Sequence, residues 1–254
     1  MAHHHNHYSG DPHALSGFWG PPTSAMNFCE EDYAVTQYAA EFISTTTNLI
    51  YVYFALRYPR KNDEKHPSKG LDILSWSLLG VGIFSVGFHA TLNQTAQFCD
   101  DISMLVFSAA LLQKLYTSGH SPLASKLISA VLFSVTAIVS IAYLRNGNIL
   151  LHFYTFSTMV SLIWPRTLYL IHARGRSETE RKNLARRFWS ALGTLVVAFI
   201  IWNIDLEKCM ELRQIRAAVG LPWAWLFEFH GWWHILTGIG AKDWILLVRD
   251  LCGS

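Results

Sequence analysis

Charge is scarce in this sequence. Only 15% of its 254 residues are Asp, Glu, Lys or Arg, where a soluble domain carries about a quarter. The charges fall in short bursts between long apolar runs, and hydrophobic residues make up 51% of the chain. That combination excludes an ordinary water-soluble domain and points to a polytopic membrane protein, each span of which needs about 20 mostly apolar residues. Lys and Arg are absent before Arg57, so the basic n-region of a cleavable secretory signal is missing. The first span is expected to act as its own insertion signal. No internal repeat is present, and the one biased tract is HHHNH near the N-terminus. Its His3, His4, His5 and His7 are expected to form a disordered or tag-like extension without a role.

What is there is a series of seven apolar runs, at about 36–56, 71–92, 101–117, 123–144, 149–171, 187–204 and 221–241. The expected fold class is therefore all-α, a seven-transmembrane helix bundle. The loops orient it. Arg57, Arg60, Lys61, Lys65 and Lys69 follow the first run, and Lys114 and Lys126 flank the third loop. The segment between runs five and six contributes Arg166, Arg174, Arg176, Arg181, Lys182, Arg186 and Arg187, and Lys242 and Arg249 follow the last run. One face thus holds 16 of the 20 basic residues, and the other only Arg145, Lys208, Arg213 and Arg216. By the positive-inside rule the N-terminus is lumenal and the C-terminus cytosolic, which requires an odd number of spans. The expected organisation is a lumenal N-terminal segment, 1–35, followed by a transmembrane domain, 36–254. Basic loops of this kind default to solvated cytosolic loops rather than nucleic-acid sites.

On this topology Cys29 and Cys209 both lie on the lumenal side, where disulfides persist. Cys99 lies near the membrane boundary and Cys252 is cytosolic, so Cys29–Cys209 is the expected bridge.

Ionisable groups inside a span cost about 3 kcal/mol each, and they tend to be paired and functional. Ser85 and His89 in FSVGFHATL are one helical turn apart; Cys99, Asp100 and Asp101 open the third run; His230 and His234 in FHGWWHILTG share one face of the seventh. An isolated pair of this spacing also fits ordinary packing, and Ser85 could bond back to its own helix. Three imidazoles and a carboxylate on three helices at similar depth suit Zn²⁺ better, with three protein ligands and an open fourth position. Asp100 then holds and deprotonates the reacting water, and Ser85 bonds that water or the developing oxyanion.

A second cluster precedes the first run, in NFCEEDYAVTQYAAEF. Asn27, Glu30, Asp32 and Glu41 are hard oxygen donors that suit Ca²⁺. The alternating donors and central glycine of an EF-hand loop are missing. The alternative is a plain acidic surface segment with Asp32 capping the first helix; a carboxylate at Glu41, inside a span, argues for the cation.

Together these stretches resemble the alkaline ceramidases. GFWGPPTSAMNFCEEDYAVTQYAAEFISTTTNLIYV looks like the family's N-terminal segment and first helix, FSVGFHATL like its second helix, FIIWNIDLEKC like its sixth, and FHGWWHILTGIG like its seventh. The resemblance covers nearly the whole chain in order. It implies a seven-helix membrane amidase of the endoplasmic reticulum or Golgi that hydrolyses ceramide, dihydroceramide or phytoceramide to a sphingoid base and a fatty acid. Carried over, His89, His230 and His234 ligate zinc, and Asp100 and Ser85 contact the reacting water. Asn27, Glu30, Asp32, Glu41 and the main-chain carbonyl of Phe28 bind calcium, and Cys29 and Cys209 form the disulfide. The chain departs from the pattern in exchanging the family's Asp and Asn at Asn27 and Asp32. It also departs in reading DDISM from Asp100 to Met104, where the family has a proline. The rival from another class is a seven-helix lipid receptor with a structural metal site. Release of fatty acid from ceramide, with and without chelator, separates the two.

Overall fold

The computed structural model describes residues 11–58, 70–173 and 175–253. The histidines of the HHHNH tract, Arg60, Lys61, Lys65, Lys69 and Arg174 lie outside them. The described chain is helical: α1 Phe42–Thr47, α2 Leu49–Arg57, α3 Ile73–Thr91, α4 Gln94–Thr117, α5 Pro122–Asn146, α6 Ile149–Ala173, α7 Glu178–Glu207, α8 Cys209–Val219 and α9 Phe229–Cys252, with a 3-10 turn at Trp223–Phe227 before α9. No β-strand occurs among the described residues; Thr36 and Ala39 form an isolated bridge. Among the same residues α3, α4, α5 and α7 are long and apolar enough to cross a membrane. A helix is the form that satisfies its own backbone in lipid.

α5 shows how these helices are written. Ser121 caps it, accepting from the Ala124 amide at 3.3 Å, Pro122 opens it and Gly147 ends it at φ 63°, the residues favoured at those three positions. Leu123, Leu127, Val131, Val135 and Ile138 form an exposed stripe, and the buried face carries Thr136, Ser140 and Tyr143. Polar inside and apolar outside is the pattern of a helix whose solvent is lipid.

The chain divides into two compact units. One takes in the chain up to Tyr53, Gly82–Asp100 and Gly193–Ile239; the other takes in Phe54–Val81, Asp101–Leu192 and Gly240 onward. In the second, Arg249 forms a two-pronged bond with Asp72, at 2.7 and 3.0 Å, and also donates to Ser75 Oγ and the Tyr58 carbonyl. Arg187 pairs with Asp250 at 2.6 Å, and the buried Tyr143 hydroxyl donates to Asp101 at 2.5 Å.

The first unit is built on the end of α3. The last carbonyls of a helix have no partner within it. Here the N-terminal segment supplies them: Glu41 N–H donates to His89 O, Ala40 N–H to Ala90 O, and Thr23 and Ser24 N–H to Leu92 O, each at 3.0 Å. This is why residues 36–41 form a bridged turn and bends rather than helix, and α1 begins at Phe42, six residues later than the apolar run suggests. α4 begins earlier than its run, because Asn93 Oδ1 accepts from Thr95 N–H at 2.8 Å as a cap. Its polar first turn is also used internally, with Gln97 accepting from the Ala25 amide at 2.8 Å. Asp100 and Asp101 therefore are the seventh and eighth residues of α4 rather than its start. α9 approaches α1 and α2 through glycines: a Cβ on Gly231 would lie 2.8 Å from Ile43 Cγ2, and one on Gly238 2.7 Å from Ile50 Cγ2. Small residues at such positions let helix backbones meet closely.

A buried histidine centre and its carboxylates

α3 carries Ser85 and His89 on one face, and α9 carries His230 and His234 one turn apart. The three imidazoles meet: each offers a nitrogen, and these lie within 4.8 Å of one another. All are buried, His89 at 1% exposure and His230 and His234 at 3%. Gly231 and Gly238 set α9 close against α1 and α2, and Glu41, the residue before α1, reaches His89 on α3.

The far side of two of the rings is held by a hydrogen bond. His89 Nδ1 lies 2.5 Å from Glu41 Oε2, and His234 Nδ1 lies 3.1 Å from Thr47 Oγ1. These contacts leave Nε2 of both rings for the common centre. A carboxylate or hydroxyl behind a ligating histidine fixes its tautomer and orientation. Phe28 stacks on His230 with ring centroids 3.4 Å apart, and His230 Nδ1 is buried without a hydrogen-bond partner. Three inward imidazoles of which one is buried with an unused nitrogen fit a divalent ion of zinc's preferences. Asp100 Oδ2 accepts from Ser85 Oγ at 3.3 Å, which joins Asp100 to the turn preceding His89.

Beside this centre the N-terminal segment folds its acidic residues inward. Asn27, Glu30, Asp32 and Glu41 are all buried. Glu30 accepts from the first amides of α1, Ile43 N–H at 2.5 Å and Ser44 N–H at 2.9 Å, where a helix N-terminus favours negative charge. Asn27 Nδ2 donates to Asp32 Oδ2 at 3.0 Å, and Phe28 N–H donates to Glu41 Oε1 at 2.8 Å. Asn27 Oδ1 and Asp32 Oδ1 are buried without partners. Burial, with the Glu41 charge adding to it, pushes the Glu30 and Asp32 carboxyls up to about 8. Oxygens this crowded and desolvated fit a hard cation. Glu41 is shared between the two clusters, one oxygen toward Phe28 and the other on His89.

The expected disulfide is formed: Cys29 and Cys209 are bonded, with Cα atoms 5.2 Å apart. Around it α8 fastens the N-terminal segment. Arg216 donates to the Cys29 carbonyl at 2.7 Å and to Glu228 at 2.9 Å, and Arg213 bonds both oxygens of Asp11 and the Cys29 carbonyl. Sequence reasoning missed α8, these arginines, Thr47 and Asp205. Asp205 is fully buried and accepts from Cys29 N–H at 3.1 Å and His230 N–H at 3.2 Å, so one carboxylate braces both clusters. A signal was available: Asp205 is an acid closing the apolar run FIIWNID.

Fold and centre together define a membrane protein, helical in its described residues, with a buried three-histidine cluster backed by carboxylates. The ceramidase family model matches residues 20–252. The chain is similar to alkaline ceramidase 3 of Mus musculus, 30% identical over 243 residues that cover 91% of this chain and 84% of the relative. It is 26% identical to alkaline ceramidase YPC1 of Saccharomyces cerevisiae, over 94% of this chain and 79% of that protein. It is 27% identical to an alkaline ceramidase of Arabidopsis thaliana, over 89% and 83%. The chain belongs to the ceramidase family and is a hydrolase.

Proposed function

We propose that this protein is a zinc-dependent intramembrane amidase that cleaves ceramide-type lipids, including dihydro- or phytoceramide, to a sphingoid base and a free fatty acid. The observation that carries the reading is the buried convergence of His89, His230 and His234; membership of a family whose relatives are named alkaline ceramidases supports it. His89, His230 and His234 would hold Zn²⁺, which when bound supplies Lewis acidity toward a carbonyl and lowers the pKa of water to about 7.

The chain's own groups do the rest. Asp100 takes a proton from the attacking water as its oxygen bonds to the amide carbonyl carbon, and delivers that proton to the leaving nitrogen as the C–N bond breaks. Ser85 donates its one hydroxyl proton to Asp100 Oδ2 and keeps the carboxylate oriented before reaction; once Asp100 has taken the water's proton, the Ser85 O–H is free to turn to the developing oxyanion. Glu41 holds His89 in one tautomer through Nδ1. Asn27, Glu30, Asp32, Glu41 and the Phe28 carbonyl would hold Ca²⁺, which when bound balances the buried carboxylates and stiffens the segment stacked on His230. Seven spans, with 1–35 and the disulfide in the lumen of the endoplasmic reticulum or Golgi and the C-terminus cytosolic, complete the reading. The basic-residue asymmetry supports it, as do the lengths of α6 and α9, 25 and 24 residues.

The test is His230→Ala in the purified protein. Metal analysis is expected to find zinc lost, and fatty-acid release from ceramide to fall by at least ~10²-fold. A variant that keeps both its zinc and its turnover overturns the proposal.

A further inference from the structure

Between α7 and α9 lies a segment that the chemistry above does not use. Leu221 and Trp223 are 72% and 64% exposed, and Trp225 and Leu226 are also exposed. Four large apolar side chains within six residues make a surface patch of the kind that marks an interaction site.

The patch is built, not loose. Ala224 N–H donates to Gly220 O at 2.9 Å and Glu228 N–H to Trp225 O at 3.2 Å. Trp232 Nε1 donates to Leu226 O at 3.1 Å, and the Trp225 ring lies 6.5 Å from that of Phe42. The Arg216–Glu228 pair ties the turn to α8. Ala224 is the small residue turned inward, which leaves the indoles and leucines outward.

α8 continues the surface. It buries Cys209, Leu212 and Arg216 and exposes Glu211 and Gln214, while Ile215 and Val219 are exposed one turn apart on its flank, leading into Leu221. Upstream, Val197 and Ile200 are exposed on α7, a helix long and apolar enough to cross a membrane. α7 ends at Glu207, and exposed Glu207 and Lys208 separate it from α8, so α8 and the turn follow directly on the end of a membrane-crossing helix and the chain then returns into α9. That place at the end of a membrane-crossing helix, where the chain leaves the apolar layer, selects the occupant.

We infer that α8 and the Leu221–Leu226 turn form a lip lying in the bilayer's interfacial zone on the disulfide-bearing side, and that its partner is lipid. The Trp223 and Trp225 indoles sit among the headgroups, and Leu221 and Leu226 reach the first methylenes. Glu211 and Gln214 face water. Tryptophan is enriched at that depth because the indole is apolar in body and polar at its N–H, and a helix with one polar face lies in the interfacial plane. The inference does not depend on the hydrolase reading.

The test is spin-label depth in phosphatidylcholine nanodiscs. The background carries Cys99→Ser and Cys252→Ser with the disulfide intact. Single labels are placed through Leu221→Cys, Trp223→Cys or Leu226→Cys, with Gln214→Cys as the water reference. The ratio of collisions with oxygen to collisions with a water-soluble nickel chelate is expected to be higher at the three lip positions by about fivefold or more. Ratios equal to that at position 214 overturn the inference. So do labels shielded from both colliders, which would mean that protein, such as a second copy of this chain, covers the patch. Three exposed positions keep the result readable if one substitution disturbs folding.

Discussion

At the scale of single residues, Glu41 carries the densest set of roles. It is fully buried, accepts from the Phe28 amide and faces His89 Nδ1. Glu41→Gln preserves shape while removing the charge that holds the imidazole. Loss of such a partner costs about 10–100-fold in metal affinity or activity. Zinc measured by competition with a chelator should therefore bind at least ~10-fold more weakly in Glu41→Gln; unchanged affinity would show that the contact with His89 is incidental to metal binding. The sequence identified Glu41 as anomalous because a carboxylate lay inside an apolar run. It did not reveal the histidine partner, since 48 residues separate them and periodicity reports neighbours on one helix only.

At the scale of elements, the close meeting of α9 with α1 sets His234 against Thr47. Gly231 is one residue from His230, and any Cβ there enters the space of Ile43 Cγ2. Overpacking of this kind typically costs about 1–3 kcal/mol. Gly231→Ala is expected to lower the unfolding temperature in detergent, and adding Ile43→Ala should recover part of the loss by vacating the same space. Failure of the second substitution to help would place the strain elsewhere. Helix ends were the least legible elements. The non-helical stretch 36–41 donates through Ala40 and Glu41 to the end of α3, and α9 runs on through Lys242 and Arg249, where Asp72 receives the arginine. Hydropathy sees neither kind of hydrogen bond.

At the scale of the whole molecule, the N-terminal segment is held by a disulfide whose ends are 180 residues apart. Cys29→Ser with Cys209→Ser removes a very long loop closure, and loss of such a bond costs about 2–5 kcal/mol. The paired variant should unfold at markedly lower temperature in detergent; an unchanged midpoint would mean that the Arg213 and Arg216 contacts suffice. The acidic cluster adds a pH dependence. Glu30 and Asp32 have ordinary values of 4.5 and 3.8 and are pushed up to about 8 by burial. Raised folded values mean that their contribution to stability is full below the ordinary values and is lost as pH rises through about 8. Without calcium, thermal stability should fall across that interval. If this cluster holds calcium as proposed, the ion would bind the ionised oxygens, and added calcium should stabilise the protein most at alkaline pH. A calcium effect equal at pH 5 and pH 9 would contradict this account.

The sequence by itself determined the helical membrane class, the identity of the inward polar residues and the cysteine pair. These follow from local quantities: hydropathy over a window, the cost of charge in lipid and the side to which the basic-residue count assigns each loop. Only the tertiary structure decided that His89 meets His230 and His234, that Glu41 stands behind His89, and that Asp205 and the α8 arginines brace the N-terminal segment. Those are contacts between segments far apart in the chain. They depend on where helices end and how closely glycines let them pack, which no local pattern encodes.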